Sequence, residues 1–190
     1  MWTPDTAIAL VWTLWWLSWL IAAMWRDRAA AKPAWHQQIV YRLFGMAGVL
    51  LLFEPFGPGA RSRGAFSHVP VRAGWAFVTL ASVGFAFTWW ARLHLGRLWS
   101  GSVGRKAEHH VVDTGPYGIV RHPIYTGITL ASIATAGLRG TMAAWLGAAV
   151  MTLGWYIKAR LEERFLRAQL GAEAYDDYAR RVPMLIPFLR

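Results

Sequence analysis

The chain of 190 residues contains no cysteine, which excludes a disulfide framework, a thiolate metal site and a cysteine nucleophile. Charge is also missing over long stretches. Residues 6–24, 43–53, 73–91, 123–138 and 140–157 carry no Asp, Glu, Lys or Arg. Acidic residues are scarce, 10 against 20 Lys and Arg. The glycine fingerprint G-x-G-x-x-G is absent, as is any alternation of strand and helix patterns, so a Rossmann dinucleotide site is excluded. Repeats and low-complexity linkers are absent too. The sequence therefore reads as one domain, residues 1–190, with an N-terminal part to residue 94 and a C-terminal part from residue 95.

What is present is apolar and aromatic: 56% of the residues are hydrophobic and 13 are Trp, beyond the range of an ordinary soluble domain. Four of the charge-free segments run 16 to 19 residues. At about 1.5 Å rise per residue they make roughly 24–28 Å of helix, close to the ~30 Å hydrocarbon core of a bilayer. The second segment reaches that length by including Ile39, Val40 and Tyr41 and letting Arg42 snorkel. The expected fold class is all-α integral membrane with five transmembrane helices. The first is expected to be a retained span and not a removable signal, because Arg26 and Arg28 follow the apolar run and no Lys or Arg precedes it.

Alternating the sides of five spans sorts the charges. Of the 20 Lys and Arg, only Arg61, Arg63, Arg72 and Arg139 fall on one side. The remaining sixteen mark the other side as cytoplasmic, with the N-terminus outside and the C-terminus inside. Membrane orientation and anionic lipid then explain the net charge of +10, and no nucleic-acid partner is expected. The bias towards Ala, Arg, Gly and Trp points to a GC-rich bacterial genome and hence to the inner membrane.

Trp12, Trp16 and Trp19 share one helical face, with Trp15 beside them, and are expected to form a lipid-facing stripe. Trp2, Trp25, Trp75, Trp89, Trp90 and Trp155 are expected to be interfacial anchors. Residues 54–72 read as a Pro/Gly-broken external loop with no chemical motif. The last two spans form a tight hairpin, since only Leu138, Arg139 and Gly140 separate them, and Gly147 and Gly154 with Ala143 and Ala144 allow close helix contact. The fifth helix should project beyond the bilayer to Gly171, followed by a short helix at about 173–181 with Tyr175 and Tyr178 on one face. The apolar tail 182–189 should fold back. Because the hairpin is tight, residues before Pro123 and after Ile157 return to one membrane face. Arg121 and His122 should therefore meet Glu162 and Glu163 despite their distance in sequence.

The stretch 95–122 is too long for a simple connector and suits a loop folded over a ligand. His109 and His110 are adjacent, with no third ligand at metal spacing and no Cys, so no metal is expected. His122 differs, because Pro123 fixes its backbone and starts a helix at the membrane surface. With Arg121 before it, Tyr125 a turn on and the glutamates opposite, His122 reads as a ligand-binding residue. Glu162 and Glu163 on their own would read as a solvated face pairing with Arg160, Arg164 or Arg167. The hairpin geometry aims them inward instead.

Three ordered motifs carry a resemblance: GPYGIVRHPIYTG (115–127), the pair Glu162–Glu163, and AYDDYARRVPMLIP (174–187). Together they resemble the isoprenylcysteine carboxyl methyltransferase family and, more broadly, the integral-membrane methyltransferases that include phospholipid N-methyltransferases. The resemblance spans about residues 95–190. It implies S-adenosylmethionine as methyl donor, with contacts from His109, His110, Val111, Val112, Tyr117, Arg121, His122, Pro123, Ile124, Tyr125 and Glu163. In members that methylate a prenylated cysteine, an arginine about a turn before the glutamates faces the substrate carboxylate. Arg160 is placed there, beside Glu162 on the catalytic side, with Lys158 the other cation in reach.

The leading reading is a membrane-embedded methyltransferase whose acceptor is lipophilic or amphiphilic and arrives sideways from the bilayer, among membrane lipids. Carboxylate, thiol, lipid amine and phenol remain open as its nucleophile. The alternative is an integral-membrane NADPH-dependent reductase of steroid or sterol type, similar in C-terminal layout and ending in an apolar tail like Leu185–Leu189. A non-enzymatic scaffold or transporter is the third reading, disfavoured because the polar cluster lies at the cytoplasmic edge and few ionisable groups lie at mid-depth.

Overall fold

A computed structural model describes residues 2–24, 35–53, 69–96 and 112–189. They form seven helices and, among the described residues, no sheet: α1 (Pro4–Met24), α2 (Trp35–Phe53), α3 (Val71–Leu95), α4 (Pro116–Ile119), α5 (Pro123–Arg139), α6 (Met142–Leu170) and α7 (Ala172–Arg181). Each charge-free segment of the sequence lies in one of the five long helices, apart from Gly140 and Thr141 in the turn before α6. Two of these, α1 and α3, are long and apolar enough to cross a membrane by length and composition. In α5 and α6 the apolar stretch is diluted by Gly, Ala, Ser and Thr, and α6 turns polar from Lys158 onward.

Packing runs in the order α1–α3–α5–α6–α2. Helices α3 and α5 lie along each other, as do α6 and α2, and α5 joins α6. Small residues set these approaches. A Cβ on Gly84 would sit 2.5 Å from the Gly127 carbonyl oxygen, and one on Gly48 would sit 2.7 Å from Met151 Cβ and 2.9 Å from the Gly147 carbonyl. The expectation of close contact along the last span therefore holds, with α2 as the partner. Helices α1 and α2 make no close backbone approach among the described residues; they meet through side chains, the Trp12 ring lying edge-on to Phe53 at 5.5 Å.

The hairpin turn is as short as the sequence requires. Gly140 takes the left-handed conformation (φ 64°, ψ 18°), and Thr141 caps α6 by accepting from the Ala144 N–H. Two arginines satisfy carbonyls at helix ends. Arg139 Nη2 donates to Phe53 O at 2.6 Å, and the fully buried Arg92 donates to Ala22 O at 2.9 Å and to Gly96 O at 2.7 Å. Helix α6 runs unbroken to Gly171 (φ 88°), where the chain turns into α7. There Tyr175 and Tyr178 are buried edge to face, at 6.0 Å between rings and against Leu166.

The tryptophans depart from the expected stripe. Trp12 and Trp15 are buried, donating their indole N–H groups to Thr135 (2.9 Å) and Thr88 (2.8 Å), while Trp16 stays exposed. A buried indole N–H needs an acceptor, and α5 and α3 each supply a threonine hydroxyl. Trp89 donates to Ser18, and Trp155 stacks on Tyr125 at 5.0 Å, so neither serves as a simple interfacial anchor.

Gly84→Leu is expected to force α3 from α5 and to destabilise the protein by about 1–3 kcal/mol, the usual cost of overpacking. Thermal unfolding in detergent should show a lowered midpoint.

Candidate active site

The site is built where α5 begins and the polar half of α6 passes it. Gly115 (φ 57°) and Pro116 start the one-turn helix α4, whose Tyr117 is buried. The chain then extends through Val120 to His122 (φ −125°, ψ 63°), and Pro123 opens α5. Proline at the first helical position presets φ and lacks an N–H that would otherwise go unused. The backbone N–H groups of Arg121 and His122 are thus left to the C-terminal tail. They donate to Pro183 O (2.8 Å) and Met184 O (3.1 Å), and the Thr126 hydroxyl donates to Leu185 O (2.6 Å). The apolar tail does fold back, and it lands on the first turn of α5.

Around this frame the charged side chains close on one another. Arg121 donates through Nε to Glu163 Oε1 at 2.8 Å and through Nη1 to the carbonyls of Ala179 and Val182. His122 Nε2 lies 3.3 Å from the same Glu163 oxygen, and its Nδ1 lies 3.6 Å from Glu162 Oε2. Tyr125 donates its hydroxyl to Glu162 Oε1 at 2.7 Å, and its ring stacks on His122 at 5.4 Å and 7° between planes. The Tyr178 hydroxyl donates to the Tyr117 carbonyl at 2.8 Å, tying α7 to α4. His122 and Glu163 are both buried.

Burial favours the neutral form of every one of these groups. For His122 burial pushes the pKa down, but hydrogen bonds to Glu162 and Glu163 overcome it and leave the imidazole above its ordinary 6.5. For the glutamates burial pushes up, yet His122 hydrogen bonds, with Lys158 beside Glu162 and Arg121 beside Glu163, hold both below their ordinary 4.5. Tyr117 is pushed well up by burial and by the Glu162 charge. The two glutamates are therefore held in their charged form, and their hydrogen bonds bias His122 towards its own.

Beside it lies a cavity of about 1000 Å³ bounded by α1, α2, α5 and α6. Trp12, Trp15, Trp16 and Trp19 form much of its wall, and Gln38, Arg42 and Lys158 line one end. Lys158 is buried there, with Nζ 5.5, 5.2 and 5.5 Å from the ring centres of Tyr41, Tyr125 and Trp155. One residue belongs to both regions: the Tyr125 ring lines the cavity while its hydroxyl binds Glu162.

Of the residues picked out in the sequence, Tyr117, Arg121, His122, Pro123, Ile124, Tyr125, Glu162 and Glu163 are gathered within this region. Val112 packs against the edge of the core. His109, His110 and Val111 lie outside the described residues. Arg160 is exposed and does not line the cavity, whereas Lys158 does. Sequence reasoning missed Tyr41, Gln38 and the inward tryptophans. It also missed a readable signal: Met151, Trp155, Lys158 and Glu162 recur at helical spacing on one face of α6. Among the described residues no cluster of His, Asp and Glu has metal-binding geometry.

The segment from α3 to α6 that holds this cluster, residues 77–168, matches the isoprenylcysteine carboxyl methyltransferase family model. The match covers a little under half of the chain. It begins within α3 and stops before α7, so the tail clasp lies beyond the shared segment. Among relatives, methanethiol S-methyltransferase 1 of Bradyrhizobium diazoefficiens is 32% identical over 175 residues, 87% of this chain and 59% of that protein. Methanethiol S-methyltransferase 2 of the same organism is 45% identical over 73 residues, 38% of this chain and 27% of that protein. Protein-S-isoprenylcysteine O-methyltransferase B of Arabidopsis thaliana is 33% identical over 87 residues, 45% of this chain and 44% of that protein. The chain thus spans less than two thirds of each. The reductase reading has no counterpart among these three.

The network fixes a pH window. Depressed carboxylates contribute stability above pH 4.5 that is lost as pH falls through their folded values. The raised imidazole contributes below pH 6.5 and loses its contribution as pH rises through its folded value. Unfolding in detergent should show maximal benefit between these limits, and His122→Gln should remove the alkaline limb.

Proposed function

We propose that the protein is an integral-membrane methyltransferase that uses S-adenosylmethionine and takes its acceptor from the bilayer. In this reading the five long helices are five spans, the N-terminus lies outside, and the cluster at the head of α5 faces the cytoplasm of a bacterial cell. The observation that carries it is the sharing of Tyr125 between a charged network and an apolar cavity. A water-soluble zwitterion and an oily molecule can then meet across one aromatic ring.

The donor set suits the cofactor. Glu163, with Glu162 beside it, presents carboxylate to an ammonium. Arg121 and the His122 ring N–H present donors to a carboxylate, and the ring faces of His122 and Tyr125 offer flat apolar surface. Opposite charges held together match an amino acid end that carries both. When bound, S-adenosylmethionine supplies an electrophilic methyl on a sulfonium. Transfer from it needs alignment and exclusion of water more than acid–base work. This chain supplies the alignment through the Pro123-fixed turn and the exclusion through the tail over Arg121. The relatives are named for acting on a thiol or on an isoprenylcysteine, so a thiol and a carboxylate are both within the acceptor classes this reading allows.

Charge-assisted contacts in a partly dry site contribute roughly 1.5–3 kcal/mol each. Glu163→Ala should therefore weaken binding of S-adenosylhomocysteine by about ten- to a hundredfold in calorimetry. The wild-type protein should be stabilised against heating by S-adenosylhomocysteine and not by NADPH. The reverse pattern would replace this reading with the reductase one.

A further inference from the structure

We propose that the turn at residues 186–189 inserts into the cytoplasmic face of the lipid bilayer, and that this anchorage holds the C-terminal tail over Arg121 and His122. The inference rests on the membrane reading for the position of the bilayer, and it needs nothing from the choice of cofactor or acceptor.

Three observations carry it. First, the turn leaves its apolar side chains outside the protein. Phe188 is 96% exposed, Leu189 63% and Ile186 58%. Single exposed apolar residues are ordinary, whereas several at one spot mark a surface that meets protein or membrane. Phe188 also has a φ of 66°, alone among the described residues other than glycine. Residues with a Cβ seldom adopt that region. A costly backbone that leaves a phenyl ring in the open calls for a contact beyond the protein. Second, the turn sits where a bilayer surface would lie. Pro183 O and Met184 O accept from the Arg121 and His122 N–H groups, and Leu185 O accepts from the Thr126 hydroxyl. Residues 186–189 therefore emerge beside the first turn of α5, where the charge-free stretch 123–138 begins. Residues 182–189 carry no charge, with Arg181 before them and Arg190 after. An apolar stretch between basic residues suits the boundary between acyl chains and anionic headgroups. The Leu189 N–H donates to Ile186 O at 3.2 Å, so the turn meets part of its own backbone need before it leaves water.

Third, the size of the patch selects the partner. A standard protein interface buries about 800 Å² a side, beyond the reach of three side chains on one turn. A lipid interface sets no such minimum, and its hold grows with whatever apolar area enters it. The anchor also adjoins the clasp. Leu185 holds Thr126 and Ile186 is the next residue, while at the base of the tail Ala179 O and Val182 O accept from Arg121 Nη1. A tail fixed in lipid at its tip and on α5 at its base is tethered at both ends. Expelling the tip from lipid frees one end and loosens the other.

The test uses the full chain in bilayers of phosphatidylglycerol and phosphatidylcholine. Because the chain has no cysteine, a nitroxide can be attached singly at Phe188→Cys, Leu14→Cys or Glu173→Cys. Power saturation then reads collisions with oxygen, which concentrates in lipid, and with a nickel chelate, which stays in water. Leu14, exposed midway along α1, is the lipid reference, and Glu173, exposed in the first turn of α7, is the water reference. The nitroxide at position 188 should favour oxygen over nickel, as at Leu14. Preference for nickel, as at Glu173, would overturn the proposal. Protection from both reagents would overturn it too, because protein then covers the turn, either another segment of this chain or a second copy. Phe188→Asp should quicken hydrogen exchange at the Arg121 and His122 amides by about fivefold, the low end of ordinary coupling between sites, while Phe188→Trp should leave it within about twofold. Unchanged exchange in Phe188→Asp would overturn the anchoring role. Nickel preference at position 188 with oxygen preference at Leu14 sinks this inference alone, whereas nickel preference at Leu14 sinks the membrane reading itself.

Discussion

Two carboxylates, a guanidinium and an imidazole share a space from which water is largely removed, and much of the C-terminal half is arranged to make that tolerable. Withdrawing an ion from water costs several kcal/mol, and mutual attraction repays it only if geometry is good and the remaining hydrogen bonds are made. Arg121 shows the requirement most plainly. One Glu163 oxygen and two tail carbonyls, Ala179 and Val182, receive its donors. Helix α7 and the tail are therefore part of the site's electrostatics. The α5–α6 turn at Gly140 is what lets the two halves of the network face each other at all.

The same arrangement places chemistry at a boundary. Tyr125 offers its hydroxyl to the network and its ring to the cavity, and Trp155 and Lys158 continue that surface along α6. Under the proposed function these are the two sides on which a polar cofactor and an oily acceptor would meet. Here a stack of His122, Tyr125 and Trp155, with rings nearly parallel (7° and 14°), forms the partition. Its rigidity comes from Pro123 at one end and from the α6 backbone at the other.

Much of this was legible in the sequence. Absence of charge located the five long helices, and the three-residue hairpin connection brought residues 121–122 to residues 162–163. Gly171 and Pro183 bracketed α7. What stayed hidden depended on which way a helix turns in its surroundings. The α1 tryptophans were expected to face lipid, since an aromatic helix face looks the same whether it meets lipid or protein. Thr88 and Thr135, each buried and each holding an indole N–H, decided the matter from two other helices. Lys158 and Arg160 were both within reach of the substrate side. Two residues apart on a helix, they face different ways, and only the packing of α2 against α6 shows that Lys158 turns inward. The pairing of the tail with Arg121 and His122 left no mark beyond its apolar composition, because backbone carbonyls carry no residue signature.

The central claim is that Arg121 and Glu163 act as one buried unit. A double-mutant cycle with Arg121→Met, Glu163→Met and the pair, read by unfolding in detergent, tests it most directly. Each single change strands a buried charge, so the account predicts that the double variant is more stable than the sum of the single losses, with a coupling of about 1.5–3 kcal/mol. Losses that simply add, within roughly 0.3–0.5 kcal/mol, would contradict it.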